Sequence, residues 1–373
     1  MTEPVRVLHI VGAMAPGGLE NFIMNLYEHV DREAVQFDFA VHARKPGDYG
    51  DRIAELGGRI YELPRLTSHP VRNLRNLNEL VRQNRYPVVV RHTANALITP
   101  QLLSARRAGA FTVCHSHSVD DPMKALHYAG RLIMKQAASD RMACSEQAGK
   151  WMYGKLPFTV IRNAIDIRRF SYDPAAESDI REEFSLQGAH IFGHVGNLVP
   201  VKNHAYLLQV FRVIAQKDPK AVLICVGEGE MRGAIEQQVK ELQLEGRVIL
   251  TGMRRDVAKF LSAMDVLLFP SIFEGIPVSL IEAQASSLPC IVSDAVSEEI
   301  RITDGLVSFL SIQEDPAIWA EQALALMEDD KKAEKTVRRV PQRENIANNG
   351  YDIDALAGWY LEYFTEKARS RKV

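Results

Sequence analysis

The chain has 373 residues, more than a single hydrophobic core usually organises, so two domains are expected. Hydrophobic residues make up 46% and charged residues 25%, which excludes a disordered or collagen-like chain. A formal net charge of -2 excludes the global basic field of a nucleic-acid binder, and no run reaches the roughly 18 apolar residues needed to span a bilayer.

The first predicted element is VRVLHIV (5–11). Its apolar run is short, Glu3 offsets Arg6 and a glycine turn follows, so it reads as a strand rather than a signal peptide. Short β-branched runs recur at FDFAVHA (37–43), PVVVRH (87–92), FTVCHSH (111–117), RMACS (141–145) and FTVIRN (158–163). Amphipathic stretches such as LENFIMNLYEHV and YAGRLIMKQAA fall between them, and this alternation predicts an α/β fold with a parallel, doubly wound sheet. The pattern stops at the polar stretch IDIRRFSYDPAAESDIREEF and restarts with HIFGHVGN (190–197), AVLICVGEG (221–229), RVILTG (247–252), DVLLFPS (265–271) and PCIVSD (289–294). A second Rossmann-like sheet follows from it. The expected division is 1–170, 171–345 and a closing segment 346–373. In that last segment Leu356, Trp359, Tyr360 and Tyr363 share one helical face, which is expected to pack back on the N-terminal domain.

Ligands of open parallel sheets sit beyond the carboxyl ends of the strands, so the loops after strands are where chemistry is expected. In PSIFEGIPVSLIEAQASSLPCIVSD a buried strand turns at Glu274 and Gly275 and becomes helical from about Pro277. Free amides of that first turn, around Val278 and Ser279, together with the helix dipole suit a diphosphate, and Gly275 lets the backbone come close. Glu282, one turn further in, suits two adjacent ribose hydroxyls. Taken by spacing alone, Glu274 would be a turn residue and Glu282 a solvated helix glutamate.

The string EGIPVSLIEA, with two glutamates separated by seven residues, resembles the signature of retaining GT-B glycosyltransferases of family 4. The resemblance implies two doubly wound Rossmann-like domains facing across a cleft, the second gripping a nucleotide-sugar. It groups Gly275, Ile276, Val278, Ser279 and Glu282 around the donor and gives Glu274 the orientation of the sugar. GHVGNLVPVKNH (193–204) resembles the family loop that holds the donor diphosphate, with Lys202 at the lysine position. Asn197 stands where arginine is common; it donates a hydrogen bond but neutralises no charge, so either the diphosphate is held less tightly or Arg254, Arg255 or Arg162 compensates. NAIDIRRF (163–170) resembles the family's interdomain junction, and TGMRRDVAKFLSAMDVLLFPS its nucleotide-base turn, with Met253 and Arg254 beside the base. VGEGEMRG (226–233) has its third glycine one residue too late for a dinucleotide fingerprint and reads as turn chemistry.

In the first half, GAMAPGGLENF (12–22) resembles the family's GGxE loop, which brings Gly17 and Gly18 to the ligand and places Glu20 at a helix start on the acceptor side. His115 and His117 end a strand and share a face. The resemblance gives His117, followed by Ser118, the contact with the transferred sugar, while His115 reads as structural on the acceptor side. No third ligand for zinc is evident, and the D-x-D at Asp352 to Asp354 reads as a helix cap, so no metal and no cofactor beyond the nucleotide-sugar, a UDP-sugar by preference, are expected. Cys114, Cys144, Cys225 and Cys290 are far apart and read as thiols of a reducing, cytoplasmic compartment. Arg72, Arg75, Arg82 and Arg85 form a basic face, solvated or set against anionic lipid if the acceptor is a lipid-linked glycan.

The implied function is metal-independent hexosyl transfer with retention to an acceptor hydroxyl, in exopolysaccharide or other surface-glycan synthesis. Two alternatives are a nucleotide-sugar epimerase of the same architecture and, given Asn197, a non-catalytic partner in a polysaccharide assembly complex.

Overall fold

The computed structural model describes residues 3–15, 17–43, 48–118, 123–331 and 339–370; Pro16, in the first glycine loop, lies outside them. The chain divides into two compact units, Met1–Ala164 with Asp352–Val373, and Ile165–Tyr351.

The first unit carries a seven-stranded sheet in the order β3-β2-β1-β4-β5-β6-β7. Its strands are β1 Val5–Ile10, β2 Val35–Val41, β3 Ile60–Glu62, β4 Val88–Thr93, β5 Phe111–Ser116, β6 Asp140–Ala143 and β7 Thr159–Val160. Every described pairing is parallel, as crossover helices between β-branched runs require. Phe37 and Phe39 on β2 pack with Tyr27 and Phe364 in a core that also holds Ile353, Ala357, Tyr360 and Tyr363 of the last helix, Ile353–Arg369. That helix therefore returns to the first sheet, capped by Asp352, whose carboxylate accepts from the Asp354 amide at 3.0 Å. Trp359, grouped by spacing with the apolar face, instead lies at its rim, stacked on Tyr363. Asp38, a buried carboxylate on β2, is satisfied by Arg6, by the Arg59 amide and by the Tyr86 hydroxyl.

The second unit carries a six-stranded parallel sheet in the order β10-β9-β8-β11-β12-β13. Its strands are β8 His190–Val195, β9 Ala221–Val226, β10 Val248–Leu250, β11 Val266–Phe269, β12 Cys290–Ser293 and β13 Val307–Leu310. The division falls earlier than the sequence pattern placed it. Ile165, Ile167 and Phe170 are buried in the second core, and the Ile165 amide donates to the Tyr351 carbonyl at 2.9 Å. Ile346 and Tyr351 belong to the same core, so the return to the first unit starts at Asp352 rather than at 346. Hydrophobic burial, not the polarity of the linker, decides both boundaries.

Two edge strands, β3 and β13, are not among the predicted runs; each pairs on one side only, β3 with β2 and β13 with β12. The stretch YAGRLIMKQAA is also not one helix. It breaks at Ile133 into Lys124–Leu132 and Met134–Ala137. The arginine face is shorter than its spacing suggested: the helix spans Pro70–Gln83, and Arg85 follows it in a left-handed conformation with φ 52°.

Candidate donor and histidine sites

In the second unit the loops after β8, β9, β10 and β11 are tied to one another through their backbones. The Gly196 amide donates to Val226 O at 3.0 Å, Leu198 to Glu228 O at 3.0 Å, Gly227 to Gly252 O at 3.1 Å and Ile272 to Val201 O at 2.8 Å. Gly227 sits at φ +146°, where a Cβ would run into the Gly196 carbonyl, and a Cβ on Gly229 would meet the Leu198 carbonyl. The VGEGE turn thus serves close packing of loop on loop.

This framework brings Lys202 and Glu274 together. Lys202 Nζ lies 2.8 Å from Glu274 Oε1 and 4.5 Å above the Phe269 ring, with both partners largely shielded from solvent. Gly196 makes room for the lysine stem, since a Cβ there would lie 3.0 Å from Lys202 Cε. Beneath it, His194 and His204 pack with ring centroids 4.8 Å apart. Burial, aided by the Lys202 cation, holds both neutral, His204 down to about 4. They leave Lys202 as the cation of this pocket.

Beyond Glu274 the chain meets open space at Gly275, where an added Cβ would touch nothing within 4 Å. Pro277, which the sequence pattern placed inside the helix, is its N-cap, with φ −66° and ψ 124°. The helix itself is Val278–Ala285, with no side chain capping its start. The first amides, of Val278 and Ser279, are therefore oriented as an anion site. Ile276 is half-buried and packs on the second core.

Glu282 follows one turn on, partly buried. Desolvation pushes its carboxyl up to about 7, with the Arg169 cation pulling the other way. Arg169, whose charge acts on Glu282, was not singled out by its motif; it donates to the Arg255 carbonyl at 2.7 Å. A folded-state value above the ordinary 4.5 means that this group's contribution is fully present below 4.5 and is lost as pH rises through 7. Ionised, it costs on the order of 3 kcal/mol. Glu282→Gln is thus expected to raise the melting temperature of the ligand-free protein at pH 8, to lose that advantage near pH 5, and to weaken donor binding. Melting curves of both proteins across this range check it, and parallel curves would refute it.

Arg254 does not supply the missing charge. Its guanidinium is held by Glu183 at 2.7 and 3.0 Å and by Asp256 at 2.9 and 2.8 Å, so the side chain is neutralised inside its own unit. Met253 beside it is 67% exposed and available as an apolar contact. Asn197 is exposed on the loop after β8.

In the first unit Gly17 caps the helix Gly18–His29 in extended conformation, and Glu20 folds back over it: a Cβ on Gly17 would lie 2.6 Å from the Glu20 carboxylate. Glu20 is thus at the third helical position, the place a capping-box glutamate takes.

At the ends of β1, β4 and β5 the sheet assembles four histidines. His9 Nδ1 lies 3.0 Å from His92 Nε2, and His92 Nδ1 lies 3.0 Å from His117 Nε2. His115 is fully buried against His117, ring centroids 4.0 Å apart, with both ring nitrogens unpartnered. Burial keeps His9 and His117 neutral, each down to about 3, and His92 and His115 well below their ordinary value. In a neutral chain each link has one donor. Because His9 Nε2 is buried without a partner, a lone pair there costs less than an orphaned N–H. The chain then runs from His9 Nδ1–H to His92 and from His92 Nδ1–H to His117, which leaves His117 Nδ1–H as a donor. His92 also overturns the view that no third ligand is at hand: one nitrogen each from His92, His115 and His117 lie within 4.8 Å of one another, so these three residues could hold a metal ion. The signal lay in PVVVRH, but only strand pairing places His92 opposite His115.

Residues 189–329 match the family described as Glycosyl transferases group 1, and residues 16–169 match Glycosyltransferase Family 4. The chain is 32% identical to the putative glycosyltransferase EpsF of Bacillus subtilis, over 98% of both chains. It is 25% identical to the Escherichia coli UDP-Gal:alpha-D-GlcNAc-diphosphoundecaprenol alpha-1,3-galactosyltransferase, over 97% of this chain and 98% of that one. The crystal structure of Anabaena Alr3699/HepE in complex with UDP superposes with a TM-score of 0.80 at 17% identity, covering 97% of this chain and 100% of that one.

Proposed function

Since this chain belongs to glycosyltransferase family 4 and has the two Rossmann-like units of the GT-B fold, we propose that it moves a hexose from a UDP-sugar to a hydroxyl of a lipid-linked glycan, with retention and without a metal. The observation that carries this reading is the Lys202–Glu274 pair at 2.8 Å, followed directly by the open turn at Gly275 and the uncapped helix start at Val278. An arriving diphosphate competes with Glu274 for the lysine. Lys202 then neutralises charge growing on the leaving group, the Val278 and Ser279 amides share it, and Glu274 is released to orient the sugar. Glu282 accepts from the ribose hydroxyls, and the neutral His117 donates to a hydroxyl of the transferred sugar. With attack on the face the diphosphate leaves, a diphosphate oxygen takes the acceptor proton.

A UDP donor is supported by the UDP held in the Anabaena structure, and a lipid-linked acceptor by the name of the Escherichia coli relative. Such an acceptor would place the protein at the inner face of the membrane; among the described residues no helix is long and apolar enough to cross it. The test is a melting-temperature panel of UDP-, GDP- and dTDP-sugars in the presence of EDTA, followed by transfer assays. A UDP-sugar is expected to raise the melting temperature and to support transfer with the chelator present. No shift with any nucleotide-sugar, or transfer abolished by EDTA and restored by a divalent ion, would overturn the donor or the metal-free part respectively.

A further inference from the structure

One ring of the first unit is buried at a cost that the fold does not explain. His115, at 0% exposure on β5, has no hydrogen-bonding partner in the protein at either ring nitrogen. Buried polar atoms left unsatisfied are destabilising, and a phenylalanine would fill the same space without that cost. The neighbours of this ring are imidazoles. His117 lies at a ring-centroid distance of 4.0 Å, and His92, paired with His115 across β4 and β5, at 5.3 Å. One nitrogen from each of the three lies within 4.8 Å of the others.

Three imidazoles converging in this way are the ligand set of an open zinc site, with a fourth position left for water. Tetrahedral bonds of about 2.0–2.1 Å set neighbouring nitrogens about 3.4 Å apart. His92 Nδ1 and His117 Nε2 already lie 3.0 Å apart, and no pair has to close from more than 4.8 Å. His92 and His115 are fixed side by side on two interior strands, while His117, half-buried just past the end of β5, is the ligand an entering ion meets first. An imidazole set selects zinc, nickel or copper over magnesium or calcium. His9 stands behind it, its Nδ1 at 3.0 Å from His92 Nε2. With an ion on His92 Nδ1, the His92 proton sits on Nε2 and is donated to His9, whose own proton moves to Nε2, so every ring stays neutral.

We propose that His92, His115 and His117 form a site for a zinc-class divalent ion, and that an ion bound there inhibits transfer. The second part rests on the proposed contact of His117 with the transferred sugar. The ion sets a divalent charge and its fourth ligand beside His117, in the space that sugar needs. Calorimetric titration of the full chain, free of any polyhistidine tag, tests the site with ZnCl2 and with MgCl2 as control. One Zn2+ per chain and no Mg2+ are expected, with Zn2+ binding weakened more than about tenfold in His115→Phe. That substitution removes two unsatisfied nitrogens, so its melting temperature is expected to equal or exceed that of the wild type. Should the variant not fold, Co2+ on the wild type decides: the strong visible absorption of a four-coordinate ion, displaced by Zn2+, supports the site, and the weak absorption of a six-coordinate ion overturns it. Zinc is expected to inhibit wild-type transfer reversibly to EDTA and to spare whatever transfer His115→Phe retains. No zinc binding, or equal binding by both proteins, would overturn the site; binding without inhibition, or inhibition that persists in His115→Phe, would overturn the second part. The donor reading is judged separately, since it fails only if no nucleotide-sugar shifts the melting temperature with EDTA present.

Discussion

Lys202→Ala is expected to lower the transfer rate by about 10²–10³-fold, the range seen when one group stabilising a developing oxyanion is removed. The lysine is the cation of its pocket: His194 and His204 are held neutral, and Arg254 is consumed by Glu183 and Asp256. Asn197, being uncharged, adds no cation on the same loop. The loss should appear mainly in kcat, because the Val278 and Ser279 amides still hold the ground-state phosphate. Lys202→Arg keeps the charge but replaces a point donor with a planar fork, so it should retain part of the activity. Asn197→Arg in the Lys202→Ala background should recover part of what was lost by restoring a cation on the same loop. Steady-state kinetics on the four proteins decide this. Activity of Lys202→Ala within threefold of wild type would remove the lysine from the mechanism.

Gly227→Ala is expected to destabilise the second unit by about 3–5 kcal/mol, a loss confined to a short list of causes. Here two act together: φ is +146°, a region that L side chains rarely adopt, and the new Cβ meets the backbone carbonyl of Gly196, which no rotamer change can move. The affected loops are those that carry Lys202, so residual folded protein should also bind donor poorly. Gly275→Ala is the contrast. Its Cβ would meet nothing, so stability should stay within about 0.5 kcal/mol, while donor binding should fall if the proposed diphosphate approaches the backbone at this turn. Urea midpoints and donor-induced melting shifts separate the two. Equal stability of wild type and Gly227→Ala would refute the packing account.

Much of this protein was legible from one dimension. Strand runs and their alternation with amphipathic stretches are local properties, and every long strand was placed within a few residues. The turn at Glu274 and Gly275 and the helix start after Pro277 were legible for the same reason, being neighbours in sequence, whereas the donor reading of Glu274 and Glu282 came from the family resemblance and not from their spacing. Errors fell where the deciding contact is remote. The edge strands β3 and β13 are short runs that become strands by pairing with β2 and β12. Ile165 to Phe170 look like linker and are core, because the second sheet covers them.

The amino-acid sequence by itself determined the two α/β halves, the pairing of a glycine turn with a helix start, and the candidates Lys202, Glu274 and Glu282. Only the tertiary structure decided how they are used. It closed Lys202 on Glu274 across 72 residues of chain, consumed Arg254 in a carboxylate clamp, and lifted Glu282 to about 7 by desolvation. It brought His9, His92, His115 and His117 from three strands into one cluster. The reason is common to all of these. Periodicity tells which side of an element is apolar, but charge pairing, desolvation and exposure depend on what packs against that side, and this is set by elements distant in sequence.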